Sequence, residues 1–208
     1  MPHIEAVIFD IGNVLVEWQP ERFYDRVIGE ARRRSLFAGV DLAEMNQRVD
    51  MGEDFTATIY ATAEANAAWR DEIRMWHDHW IELCSPEIPH SVKLLRTLRA
   101  KGVPVFALSN FGVGSFAHAT GFYPWLGEFD RRYISGHLKV MKPDPRIYEI
   151  VEADCGIAPE ALLFADDKAE NIAAADARGW QGHLFAGPGA FARRLVAEGL
   201  LTTEEAQA

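Results

Sequence analysis

Cysteine is nearly absent from this chain: two residues in 208, Cys84 and Cys155, too few for a disulfide framework and in no metal-ligand spacing. They read as reduced, buried thiols of a cytosolic protein. Long apolar runs are lacking too, none approaching the roughly 20 residues that span a bilayer. Met1 to Asp10 lacks the basic start and extended apolar stretch of a signal peptide, so a soluble, cytoplasmic protein is expected. Positive charge is scarce. With 21 Lys and Arg against 31 Asp and Glu, the net charge is −10, which argues against nucleic acid or an anionic membrane as partner, since both bind clustered cations. A phosphorylated small molecule stays compatible, because a metal and a few donors reverse the potential inside one cleft. Repeats and low-complexity tracts are missing, and the oligomeric state is left as monomer or homodimer.

What is present is an ordinary globular composition, 49% apolar and 25% charged. At this length one core with a subdomain is the natural expectation, and disorder is expected only around Thr202 to Ala208. Short apolar runs stop abruptly at polar or small residues: Ala6 to Phe9 at Asp10, Val103 to Leu108 at Ser109, Leu162 to Ala165 at Asp166, His183 to Ala186 at Gly187. Such runs suit parallel strands covered on both faces. Helical patterns separate them. Ser91 to Lys101 ends at Gly102, Asp144-Pro145 caps a helix running towards Gly156, and alanine-rich Lys168 to Arg178 ends at Gly179. The alternation predicts an α/β fold, a doubly wound parallel-sheet, Rossmann-like core whose strand ends bind ligand. From Val16 to Pro89 the rhythm fails: no convincing strand, but helix-forming stretches at Leu42 to Asp50 and Glu64 to Leu83. This predicts a core of residues 1–15 and 90–208 with an inserted α-helical cap at 16–89.

Asp10, Ser109, Lys142 and the pair Asp166-Asp167 fall at that strand edge. Each alone is ordinary turn or cap chemistry. Together, as Ile8-Phe9-Asp10-Ile11-Gly12-Asn13-Val14, Leu108-Ser109-Asn110, Lys142-Pro143 and Phe164-Ala165-Asp166-Asp167-Lys168-Ala169-Glu170-Asn171, they resemble the four ordered motifs of the haloacid dehalogenase-like (HAD) hydrolase superfamily, with the helical insert in the place of its type-1 cap. The opening and closing motifs are similar to the sugar-phosphatase subgroup typified by bacterial glucose-1-phosphate phosphatase. The resemblance implies a Mg²⁺-dependent phosphatase acting on a small phosphorylated metabolite, a sugar phosphate, through an aspartyl-phosphate on Asp10. It implies catalytic Asp10, Lys142 and Ser109, with phosphate held by Ser109, the Asn110 N–H and Lys142. Magnesium would be held by Asp10, the Gly12 carbonyl and Asp167, with Asp166 and Asn171 in support. The residue types fit: a carboxylate splits one displacement into two, a hard cation lets two anions meet, and lysine adds a compact positive charge.

One position departs. Most phosphatases of the superfamily carry a second Asp two residues after the nucleophile, as general acid and base, where this chain has Gly12. Losing such a group costs roughly 10²–10⁴-fold in rate. A cap residue takes the role, or the leaving group needs no proton, or the chain is no phosphatase. The resembling subgroup also has Gly here, which favours the first two. The alternatives are a 2-haloacid dehalogenase, which needs no metal, and a catalytically weak metabolite-binding protein; the acidic pair argues against the former. In the cap, Trp69, Ile73, Trp76, Trp80 and Leu83 follow the 3/4 spacing of a packed stripe, with the alternative that one Trp, or Trp18, faces the cleft. A single histidine, His77 or His79, is a speculative source of the missing acid. Arg22, Arg70 and Arg74 read as a solvated face, with substrate contact the alternative.

Overall fold

The computed structural model describes residues 3–207. The chain runs β1 (Ala6–Phe9), β2 (Val16–Trp18), α1 (Pro20–Ile28), α2 (Glu30–Gly39), α3 (Leu42–Asp50), α4 (Phe55–Ala65), α5 (Arg70–Asp78), α6 (Trp80–Leu83) and β3 (Cys84–Glu87). It continues through α7 (Pro89–Ala100), β4 (Val105–Ser109), α8 (Val113–Phe122), β5 (Arg131–Ile134), α9 (Ser135–Leu138) and α10 (Pro145–Cys155). The last elements are β6 (Leu162–Asp166), α11 (Ala169–Asp176), β7 (Gln181–Leu184), α12 (Pro188–Ala197) and α13 (Thr203–Gln207).

Five strands form a parallel sheet in the order β5-β4-β1-β6-β7, with Ile8 level with Phe106 on one side and Phe164 on the other. The strand period of two sends neighbouring side chains to opposite faces. Val7, Phe9, Ala107 and Leu163 pack with Leu95 of α7 and Phe191 of α12, while Ile8, Phe106 and Phe164 pack with Tyr148 of α10 and Ile172 of α11. This is the doubly wound core that the apolar runs predict. β1, β4 and β6 are neighbours, so Asp10, Ser109 and Asp166 emerge side by side. Among the described residues no helix is long and apolar enough to cross a membrane.

The helix boundaries follow local chemistry. Asp144 accepts a hydrogen bond from the Arg146 N–H and Pro145 opens α10, which Gly156 ends in the left-handed region at φ 68°.

Several expectations need correcting. The 16–89 interval is mostly helical but not strand-free: β2 and β3 pair antiparallel, Trp18 level with Cys84. The stretch Glu64 to Leu83 is not one helix; the chain breaks at Asn66 and again at His79. β5 was not anticipated, and β7 lies two residues earlier than the apolar run suggests. The tail is ordered through α13, whose Ala206 is buried; Ala208 lies outside the described residues. Cys84 is buried, but Cys155 is only half-buried.

Candidate active site

Asp10 follows β1 directly, its backbone N–H donating to the Ala165 carbonyl at 2.9 Å. Three donors converge on one of its carboxylate oxygens: the Ile11 N–H at 2.7 Å, Ser109 Oγ at 2.6 Å and Lys142 Nζ at 3.0 Å, all on Oδ1. Lys142 Nζ also meets Asp166 Oδ2 at 2.6 Å and donates to the Leu108 carbonyl at 2.8 Å. Asp10, Lys142 and Asp166 are all buried. Burial pushes the Asp10 carboxyl up to about 6, against the pull of Lys142 and with Asp166 adding to the rise. Burial alone would lower the Lys142 ammonium, but Asp10 and Asp166 together outweigh it and hold the amine protonated.

The asparagines act as braces. Asn110 exchanges two hydrogen bonds with the Lys142 backbone: its Nδ2 donates to the carbonyl at 2.9 Å and its Oδ1 accepts from the N–H at 2.8 Å. Asn171 Nδ2 donates to both Asp166 oxygens at 3.0 Å, and the Lys168 N–H adds a third bond at 2.8 Å. Asp166 is thereby saturated by protein donors. Asp167 accepts from Asn13 Nδ2 at 3.0 Å. Carboxylate oxygens of Asp10, Asp166 and Asp167 lie within 4.8 Å of one another, close enough to share one cation.

These residues form one wall of a cavity of about 1100 Å³. Asp10, Gly12, Ser109, Asn110, Lys142, Asp167 and Asn171, seven of the eight site residues expected from sequence, line it, and Asp166 sits just behind in the cluster. The 16–89 segment lines the same cavity with Trp18, Phe37, Val40, Leu42, Asn46, Asp50, Trp76 and Trp80. The tryptophan stripe therefore divides its labour. Trp76 and Trp80 are buried and also face the cavity, while half-buried Trp69 carries the Arg32 guanidinium over its ring. His77 and His79 are not brought to the site: His77 bonds Asp78 and Thr56, His79 bonds Glu82, and neither lines the cavity. Arg22, Arg70 and Arg74 likewise pair with surface glutamates.

Three polar residues were missed. Asn13 sits at φ 56°, a conformation asparagine tolerates better than most, and its Oδ1 accepts from the Trp18 N–H at 3.0 Å while its amide holds Asp167. Asn46 and Asp50 belong to α3, and nothing in their local pattern separates them from solvated helix residues.

The description of the haloacid dehalogenase-like hydrolases matches residues 4–179. The chain is 33% identical over 194 residues to a sesquiterpene phosphatase of Aspergillus oryzae, covering 86% of this chain and 89% of that one. It is 23% identical over 191 residues to a drimenol cyclase of Aspergillus calidoustus, 34% of whose length it covers. Among solved structures it resembles a HAD-family enzyme of Bacteroides thetaiotaomicron at TM-score 0.67 and 22% identity, over 88% of this chain and 93% of that one. The same enzyme has been solved in complex with magnesium and inorganic phosphate (TM-score 0.63, 22% identity, 86% and 93% covered). The L-2-haloacid dehalogenase of Xanthobacter autotrophicus with covalently bound chloropropionic acid matches at TM-score 0.62 and 20% identity, over 98% and 87%. At those identities the likeness to solved structures is one of fold.

Proposed function

The chain belongs to the haloacid dehalogenase-like hydrolase family, and on that footing we propose that it is a magnesium-dependent phosphomonoesterase using Asp10 as its covalent nucleophile. The observation that carries this reading is the charge balance. Three carboxylates gather within 4.8 Å, and the buried cation among them is Lys142 alone. Uncompensated buried charge is expensive, so the surplus has a clear purpose when a hard divalent cation seats there. Asp166 is saturated by Lys142, Asn171 and the Lys168 N–H, which leaves Asp10 and Asp167, with the Gly12 carbonyl, to hold Mg²⁺. When bound, the ion would screen the phosphate from the carboxylates and stabilise charge on its oxygens.

The chain's own groups supply the rest. The donors on Oδ1 fix the orientation of the Asp10 carboxylate. Asp10 attacks, the alcohol departs, and water then hydrolyses the aspartyl-phosphate. Lys142, fixed by Asp166 behind and by Asn110 on its backbone, sets an immobile positive charge beside the nucleophile. On substrate binding the single Ser109 O–H would pass from Asp10 to a phosphate oxygen, beside a second donated by the Asn110 N–H. Residues 1–15 and 90–208 would form the catalytic core and 16–89 the cap that closes over it.

A sugar phosphate is the substrate class the resemblance suggests. The apolar cap wall of Trp18, Phe37, Val40, Leu42, Trp76 and Trp80 favours the monophosphate of a less polar alcohol, as does likeness to a relative named a sesquiterpene phosphatase. Phosphate release from a panel spanning sugar phosphates and apolar alkyl and prenyl monophosphates tests both levels. Turnover is expected with Mg²⁺, lost in EDTA and lost in Asp10→Asn, with the apolar esters ahead. Turnover surviving Asp10→Asn would sink the mechanism, and 2-haloacid turnover in EDTA would favour the dehalogenase.

A further inference from the structure

Gly12 leaves the core side without a proton donor for the departing alcohol, and the 16–89 segment puts a carboxyl, Asp50, on the same cavity. We propose that Asp50 is the general acid of this site, protonating the leaving oxygen as the phosphoryl group passes to Asp10; the proposal rests on the phosphomonoesterase reading.

Asp50 ends α3 and lines the same cavity as Asp10. The end of α3 is fastened to the core beside Ser109 and Asn110. Ser135 Oγ donates to the Asp50 carbonyl at 2.6 Å, and Lys139 Nζ donates to the Gly52 carbonyl at 2.6 Å. A Cβ on Gly112 would stand 2.9 Å from the Val49 carbonyl, so the chain after β4 lies directly against the last turn of α3. The carboxyl itself is oriented by a relay from the cavity wall: Trp76 Nε1 donates to Asn46 Oδ1 at 3.3 Å, and Asn46 Nδ2 donates to Asp50 Oδ2 at 2.8 Å. An amide N–H favours the carboxylate less than a cation in the same place would. Burial pushes the Asp50 carboxyl up to about 7, opposed by the Gly112 N–H and by Lys168, with Asp10 adding to the rise. The other cation at this turn, Lys139, is engaged by the Gly52 carbonyl. A carboxyl in that range carries its proton often enough near neutrality to deliver it.

The step balances. Asp10 forms the new O–P bond, the bond from phosphorus to the alcohol oxygen breaks, and its electron pair takes the Asp50 proton. In the second step water attacks phosphorus and gives a proton to the Asp50 carboxylate, restoring both carboxyl groups to their starting states.

The leaving group tests it. The second-order constant kcat/KM reports only the steps through departure of the alcohol, so it isolates the protonation. A nitrophenol leaves readily without a proton and an alkanol does not. In wild type, kcat/KM should depend weakly on leaving-group pKa. In Asp50→Asn it should fall by roughly 10²–10⁴-fold for an alkyl phosphate and by a much smaller factor for p-nitrophenyl phosphate. Asp50→Glu should recover part of the alkyl loss. Equal losses for the two esters would show a structural role and overturn the proposal, as would an undiminished alkyl rate. If Asp50→Asn does not fold, the wild-type series decides: a steep dependence on leaving-group pKa overturns the proposal, a flat one supports it. Wild-type turnover that Asp10→Asn abolishes upholds the phosphatase reading whatever Asp50 does. Wild type inactive on both esters overturns both.

Discussion

Two carboxyls of different kinds face the cavity, Asp10 buried and Asp50 half-buried. Asp10 sits under Lys142 and Ser109, whereas Asp50 is braced by an amide and keeps the cost of its burial. That cost gives a signed prediction. The folded-state pKa of Asp50, about 7, lies above the ordinary aspartate value of 3.8. Between those pH values the folded protein binds more protons than the unfolded chain, so stability falls as pH rises through the interval, and the penalty is complete above 7. Asn carries no such penalty. In EDTA, Asp50→Asn should therefore be more stable than wild type at pH 8 by at least about 1 kcal/mol, the difference shrinking towards pH 4. Denaturant melts at the two pH values check this, and a constant difference would show that Asp50 is not the titrating group. A residue kept at the expense of stability fits a functional site. Nothing in the sequence marks Asp50 out, because an Asp ending a helix is ordinarily solvated; only packing of α3 against the loop after β4 takes it partly out of water.

Elements were legible where they are fully buried and opaque where they are edges. β1, β4 and β6 have both faces covered, so their continuous apolar runs stand out. β5 opens with Arg131 and Arg132 exposed, as charged sheet edges commonly do, and no apolar run betrays it. β2 and β3 are short, and the pair they form joins residues far apart in sequence. The junction between α3 and α8 is a comparable non-local feature. Gly112 is needed there because any Cβ would fall 2.5 Å from Val49 Cγ1 as well as close to the Val49 carbonyl. Gly112→Ala should cost roughly 1–3 kcal/mol and, by pushing α3 away from Ser109 and Asn110, lower turnover of alkyl phosphates. A variant with unchanged melting and unchanged kinetics would show that this contact does not position the cap wall.

At the scale of the whole molecule, the sheet and the 16–89 segment share one continuous apolar cluster, from Phe9 and Leu95 to Met45, Trp76 and Trp80. Metal binding should therefore be felt globally. If Mg²⁺ binds only the folded chain, saturation at 100 times its Kd should add about 2.7 kcal/mol to stability. Asp167→Asn should lose most of that gain, and an Mg²⁺-independent melting temperature in wild type would argue against the site.

The sequence by itself determined the parallel core, the order of the four motifs and the gap at Gly12, because apolar periodicity, caps and strand-end residues are local chemistry. It did not determine what fills that gap. Asp50 lies forty residues from Asp10 along the chain, and its partial burial, its Asn46 and Trp76 relay and its place on the same cavity as Asp10 arise when α3 packs against the loop after β4. The same holds for the aromatic lining: the sequence left open whether the tryptophans pack or one of them faces the cleft, and the tertiary structure set Trp18, Trp76 and Trp80 on the cavity. Contacts between distant segments are set by the shape of the packed whole, and that shape decided which polar residues share a cavity with Asp10.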